Sequence, residues 1–403
     1  MAKKLYEEAE VRAVASAIRQ KNNATATYKL SEMPAAIEAL NTGEKIAHAQ
    51  MPEYIKSAVY TLAQKVRAVQ TENTVTFIAA ADAHQIDTSE NVVNGNLHAG
   101  MAMKALAYVL PQLDFCCFLG DYSCGTDTTT FAEGRQHFNE INTDIGEAFE
   151  GIPQFRTPGE RDGLRNALEQ NGDWLKAAEL YTYIGRYCAG ASYGSTTEGY
   201  CYRDFTDKKL RVICLNTAEN GANDASVSSA QTVWLARTLR SVGSKEGWGV
   251  LLLSHHPLDF GANVCAAANI LKCYVEGGTA SVGAGMNMSF ANYNKAKIFA
   301  NIHGHTHNFL AAKLSSISGG TATEFDVMRV ATPNMCYFLN NELGANDSAE
   351  YADIEFGQTD TYAKTSGTAE DTSFVVNVLD PVENKLHSFC YGAGIDRVVS
   401  LSP

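Results

Sequence analysis

Five short stretches of the chain carry residue types that can bind and activate a ligand. They are Asp82-Ala83-His84, Gly120-Asp121, Pro158-Gly159-Glu160-Arg161-Asp162, Ser254-His255-His256-Pro257 and His303-Gly304-His305-Thr306-His307. Carboxylates with several imidazoles make a hard-to-borderline set of oxygen and nitrogen donors, suited to Mn, Fe, Zn or Mg rather than to soft copper. Singly each stretch is weak, because a lone D-x-H or G-D is mostly chance. His303–His307 is better, since His305 and His307 flank one residue and can reach neighbouring ions. Gly120 and Gly304 let the backbone turn tightly beside such ions.

What gives the stretches joint weight is the element that precedes each. Short apolar runs cover residues 75–81, 115–119, 152–155, 211–215, 250–253 and 298–302, with helical patterns such as 97–110 and 231–239 between them. Buried strands alternating with helices indicate an α/β layered fold. In such a sheet, ligands bind outside the C-terminal ends of the strands, where loops gather side chains distant in sequence. All five stretches sit at such ends. After residue 310 the helical patterns stop, and 327–330, 374–379 and 386–391 read as strands.

The first 70 residues have another texture. Leu5, Val11, Val14 and Ile18 share a helical face, and Ser31 can cap a second helix with Pro34 in its first turn. Ile55, Val59, Leu62, Val66 and Val69 then recur every three or four residues, an a/d seam of about two heptads. A helix packed on its own domain and a joint between copies are both compatible with that seam. The expected organisation is a helical region over 1–70, an α/β core over 71–310 and a β-rich closing part over 311–403. Two segments, 181–202 with its tyrosines and 263–294 rich in Gly, Ala and Asn, are candidate loops over a site.

Composition excludes several classes. With 32 basic against 45 acidic residues and no run of Lys and Arg, the chain lacks the footprint of a nucleic-acid binder. No apolar run approaches membrane-spanning length, and the N-terminus has no secretory signal, so no membrane partner is expected. The ten cysteines form no C-x-x-C pair, and Cys116, Cys117 and Cys214 sit inside apolar runs as small hydrophobes of a reducing compartment.

The order D-x-H, G-D, a Gly-led third motif, H and G-H-x-H resembles the calcineurin-like metallophosphoesterases, over roughly residues 75–309. The resemblance implies a four-layer α/β/β/α sandwich, here preceded by a small helical N-terminal region. It also implies two divalent metal ions, of Mn, Fe, Zn or Mg. Asp82, His84 and His307 would hold one ion, His255 and His305 the other, and Asp121 would bridge them. A bridging hydroxide would attack phosphorus while both ions neutralise phosphoryl oxygens.

The third motif departs from that family, which carries G-N-H followed by Asp or Glu. Glu160 stands in place of the metal-binding Asn and can still ligate a hard ion. Arg161 stands in place of a histidine that often protonates the leaving group. A guanidinium cannot do that, although it can hold phosphate in a fork. The proton would then come from His256 or His303, and Asp162 closes the motif. Arg161, His256 and Asp162 are the expected catalytic group. A simple pairing of Glu160 with Arg161 is the plain alternative.

Residues 5–40 loosely resemble a short module at the start of phage tail and baseplate proteins, through A-x-A-I-R-x-K at 15–21 and L-S-E-M-P-A-A-I at 30–37. That implies attachment to a virion, tail proteins as partners, self-association through the N-terminal helices, and a cell-wall phosphodiester polymer such as teichoic acid as substrate. Two other readings stand beside it. One is a cytoplasmic nucleotide phosphodiesterase; the other is a non-catalytic structural or glycan-binding tail protein with a degenerate phosphoesterase fold.

Overall fold

The computed structural model describes residues 51–85, 90–123, 131–163, 182, 184–196, 198–219, 225–283, 285–318, 320–336 and 364–401. The helices expected over 1–50 lie outside them. By packing the chain falls into two units, Met1–Lys56 and Ser57–Pro403. Helix α1 (Glu53–Arg67) carries the seam expected from Ile55 to Val69 but ends before Val69. Val59, Leu62 and Val66 are buried within the chain.

Strands β1 (Val75–Ala80), β2 (Phe115–Leu119) and β3 (Gln154–Thr157) are parallel neighbours with every residue buried. Such strands need apolar residues on both faces, which is why they read as unbroken runs. β3 starts two residues later than its apolar run suggests. It contains Arg156, which is buried under the Tyr187 ring and hydrogen-bonded to Gln154 and to the Asn142 carbonyl oxygen. Helices α2 (Glu90–Val109) and α3 (Phe131–Ala148) intervene along the chain, and tilted ring contacts from Phe118 to Tyr122 and from Tyr122 to Phe138 link β2 to α3.

A second sheet runs in the order β11-β12-β10-β7-β6-β5-β4. Its members are β4 (Ser192–Tyr193), β5 (Cys201–Phe205), β6 (Leu210–Cys214), β7 (Gly249–Ser254), β10 (Lys297–His303), β11 (Ala311–Ser318) and β12 (Thr321–Ala331). β6, β7, β10 and β12 are parallel to one another in turn. The short hairpin β8 (Thr279–Ser281) with β9 (Asn287–Ser289) stands apart from both large sheets.

The chain closes with β13 (Ser373–Asp380), β14 (Lys385–Gly392) and β15 (Arg397–Ser400), which extend the first sheet to the order β15-β14-β13-β1-β2-β3. β13 lies antiparallel to β1, so the last strands are built into the same sheet as the first.

The two sheets face each other. One cluster joins Phe77, Phe115, Phe155 and Val375 of the first to Val212, Leu251, Leu253 and Ile302 of the second. Because alternate residues point to opposite faces, Ile213 and Leu252 look the other way, and an irregularity between Ile298 and Ala300 turns Ile298 with them. They pack on helices α4 (Ser229–Gly243) and α5 (Gly261–Val275) through Leu235, Leu239, Val264 and Leu271. α5 occupies the start of the Ala-rich segment expected to be a loop; its alanines are the best helix formers and small enough to lie close on a sheet. Among the described tyrosines of the other candidate loop, Tyr200 and Tyr202 pack against Trp234 and Tyr187 against Arg156. Among the described residues no helix is long and apolar enough to cross a membrane.

Candidate metal centre

Asp82 and His84 follow β1, Asp121 follows β2, Glu160 and Arg161 follow β3, His255 and His256 follow β7, and His305 and His307 follow β10. Both sheets thus deliver side chains from the C-terminal ends of parallel strands. Backbone bonds sew these ends together: Asp82 N–H to the Gly120 carbonyl oxygen at 2.9 Å, and His84 N–H to that of Asp121 at 3.1 Å. Across the sheets, His305 N–H donates to Asp82 Oδ2 at 3.0 Å.

Close approach of the loops requires glycine. A Cβ on Gly120 would lie 2.6 Å from both Gly159 N and His255 Nδ1, and one on Gly159 would lie 2.1 Å from Asp121 Oδ1. One on Gly304 would meet Asp82 Oδ2 and the Leu119 carbonyl oxygen at 2.9 Å. The backbone is also strained. Asp82, His84, Asp121, His305 and His307 all have φ between 42° and 66°, a region non-glycine residues seldom enter. Lys209, Asn292 and Asn384 are the other described non-glycine residues there. Strain concentrated on one set of polar residues marks a functional site, because surrounding packing must hold it.

The donors, buried except for the half-buried His307, fall into overlapping groups whose atoms lie within 4.8 Å of one another. Asp82, His84 and His307 form one: His84 Nε2 is 3.2 Å from His307 Nε2, which is 3.3 Å from Asp82 Oδ1. Glu160, His255, His256 and His305 form another. Asp121 Oδ2 lies between them, 3.7 Å from His84 Nε2 and 3.5 Å from His255 Nε2. These groups of carboxylate and imidazole could hold metal ions, and their donor types fit borderline to hard divalent cations.

Several side chains are aimed by partners outside the groups. His255 donates Nδ1–H to the Leu119 carbonyl oxygen at 2.6 Å, which turns Nε2 inward. His256 Nδ1 lies 3.1 Å from Thr217 Oγ1, and that oxygen also accepts His256 N–H at 3.0 Å. Thr217 follows β6, a strand end whose Asn-Thr residues did not stand out in the sequence as chemistry.

Burial opposes the charge on Glu160, but His305, His255 and His256 outweigh it and hold the carboxyl well below its ordinary range. Glu160 is therefore committed to three histidines. Burial pushes Asp121 well up, and the Glu160 charge adds to that. For His255 burial acts downward, yet Asp121 and Glu160 raise it well above the usual imidazole value. In the metal-free protein the two carboxylates thus favour the charged form of His255. A divalent ion needs its Nε2 deprotonated, so binding there must eject about one proton, and affinity must rise with pH. Calorimetric titration in two buffers of different ionisation heat measures this; identical heats would refute it.

Two of the expected catalytic residues, Asp162 and His256, have partners that the sequence did not show. Asp162 accepts N–H groups from Asp121 at 2.9 Å and Gly159 at 2.8 Å through Oδ2, and from Tyr122 at 2.7 Å and Ser123 at 3.3 Å through Oδ1. Both oxygens are spent on backbone, which is a positioning role. Burial pushes this carboxyl up to about 7 against the N–H groups of Gly159, Ser123 and Tyr122 and the nearby His255. His256 stands within the donor group, with Nε2 3.1 Å from Glu160 Oε2. Burial and then the neighbouring His305 take it down to about 3, so it offers a lone pair rather than an acidic proton. His303 is no better as an acid, since burial takes it down to about 3 and its Nδ1–H goes to the Gly304 carbonyl oxygen at 2.8 Å. Arg161 anchors by its backbone N–H on Asp121 Oδ1 at 2.9 Å, and its charge is felt at His84.

No family model matches the chain, and no curated protein matches it. Among solved structures, that of PhoD is similar at 12% identity and a TM-score of 0.40, over 81% of this chain and 68% of that one, a likeness too remote to carry fold or activity across.

Proposed function

We propose that the chain is a metal-dependent phosphoesterase that hydrolyses phosphodiesters at this centre. The observation that carries the reading is Asp121, with one oxygen 3.7 Å from His84 Nε2 and 3.5 Å from His255 Nε2, between two groups of donors. Asp82, His84 and His307 would hold one divalent ion and Glu160, His255 and His305 the other, with Asp121 facing both. Two ions so held supply a nucleophile near neutral pH and neutralise the phosphoryl oxygens of an in-line displacement.

The chain's own residues do the rest. Burial of the donor groups excludes bulk water and strengthens each electrostatic contact. The Arg161 guanidinium can grip a phosphoryl oxygen and stabilise developing charge, but it yields no proton. Esters whose leaving group departs as a stable anion should therefore turn over fastest. The reading takes the facing sheets and their helices as the four-layer calcineurin-like sandwich.

Hydrolysis of bis(p-nitrophenyl) phosphate tests it. Turnover should vanish with a chelator and return on adding divalent metal. No turnover with Mn²⁺, Zn²⁺, Mg²⁺ or Fe²⁺ would overturn it in favour of a binding protein. Virion attachment and a teichoic-acid substrate stay with the resemblance of residues 5–40. Cleavage of purified teichoic acid in preference to nucleotides would support them.

A further inference from the structure

The donors of the centre are unequally shared. Glu160 Oε2 lies 2.7 Å from His255 Nε2 and 3.1 Å from His256 Nε2, and Oε1 lies 3.1 Å from His305 Nδ1. One carboxylate thus sits among three imidazole nitrogens, all four residues buried. The Leu119 carbonyl oxygen and Thr217 Oγ1 engage Nδ1 of His255 and of His256, so each presents Nε2 to the same point. The other group, Asp82, His84 and His307, offers three donors.

Three imidazoles and one carboxylate fill the tetrahedral shell that Zn²⁺ prefers. A position with four protein donors is closed, whereas one with three leaves room for water or substrate. We infer that His256 is a metal ligand, and that Glu160, His255, His256 and His305 form a closed position selective for Zn²⁺. The Asp82–His84–His307 position beside it, completed by Asp121 Oδ2 at 3.7 Å from His84 Nε2, takes a harder ion of higher coordination number, such as Mn²⁺, and leaves that ion's remaining places to substrate oxygens. This deepens the proposed function, and its last clause rests on that reading; the closed position does not.

The test is titration of the metal-free protein with Co²⁺, whose visible absorption is intense when tetrahedral and weak when the coordination number is higher. The first equivalent should give the intense spectrum and be displaced by one equivalent of Zn²⁺. The second should give a weak spectrum and be displaced by Mn²⁺. In His256→Gln the intense spectrum should be lost. First-step affinity should fall by at least the roughly 10- to 100-fold that loss of a supporting partner alone costs. The second step should be unchanged, which also shows that the variant is folded. Thr217→Val should weaken the first step but keep its spectrum.

An unchanged spectrum and first-step affinity in His256→Gln, with slowed phosphodiester turnover, would make His256 a proton donor and overturn the inference. Loss of both steps would overturn the division into two positions. A wild type that binds ions in this order and hydrolyses no phosphodiester would sink the proposed function alone.

Discussion

Asp121→Ala is expected to lose metal-dependent phosphodiester hydrolysis, by on the order of 10³-fold, while the metal-free protein stays as stable as the wild type or becomes more so. The two halves have one cause. Asp121 is buried beside Glu160, and both burial and that neighbouring charge push its carboxyl up. Its place among like charges is a cost in the absence of a cation, so removing it relieves repulsion at the expense of the hydrogen bond from Arg161 N–H and the attraction of His255. Such a bond contributes about 1 kcal/mol net. With divalent ions present the balance reverses, because the one carboxylate oxygen facing both donor groups is gone. Loss of charge stabilisation worth about 4 kcal/mol corresponds to the stated fall in rate. Thermal unfolding with and without metal, run beside the hydrolysis assay, reads both halves. A variant retaining activity within tenfold of wild type would remove the observation on which the function rests. A variant unstable without metal would show that Asp121 is structural.

The order of the candidate donors was legible because each follows a strand buried on both faces, and such strands announce themselves as unbroken apolar runs. The runs ending before Asp82, Asp121, His255 and His305 fall on β1, β2, β7 and β10. His84 and His307 meet Asp82, the grouping that the family resemblance implied. Legibility failed where a side chain's role depends on what another loop brings to it. Nothing in P-G-E-R-D says that Asp162 turns back to its own backbone and that of residues 121–123. Nothing in S-H-H-P says that both histidines reach Glu160. Element boundaries failed where burial and polarity disagree. Arg156 in β3 reads as a surface residue but is sealed by Tyr187, Asn142 and Gln154. In β12 only the buried inner half stood out, because Thr321–Glu324 is exposed.

Asp162→Ala should cost about 4 kcal/mol of stability and abolish activity through the same defect. Four buried N–H groups, of Asp121, Tyr122, Ser123 and Gly159, end on this carboxyl. A buried donor left without a partner costs about 1–3 kcal/mol, and some of the four will be rescued by water in the vacated space. The same four bonds set the φ of 55° at Asp121, which aims its side chain at both donor groups. Without them the strained loop has less to hold it, and strain of this kind persists only when the surroundings over-determine it. Chemical denaturation gives the stability, and the metal titration gives the site. Positioning predicts that stability, metal affinity and turnover fall together, with Asp162→Asn in between because its amide keeps one acceptor. A stable Asp162→Ala that binds metal normally but turns over slowly would return Asp162 to the catalytic role its place in the motif implies.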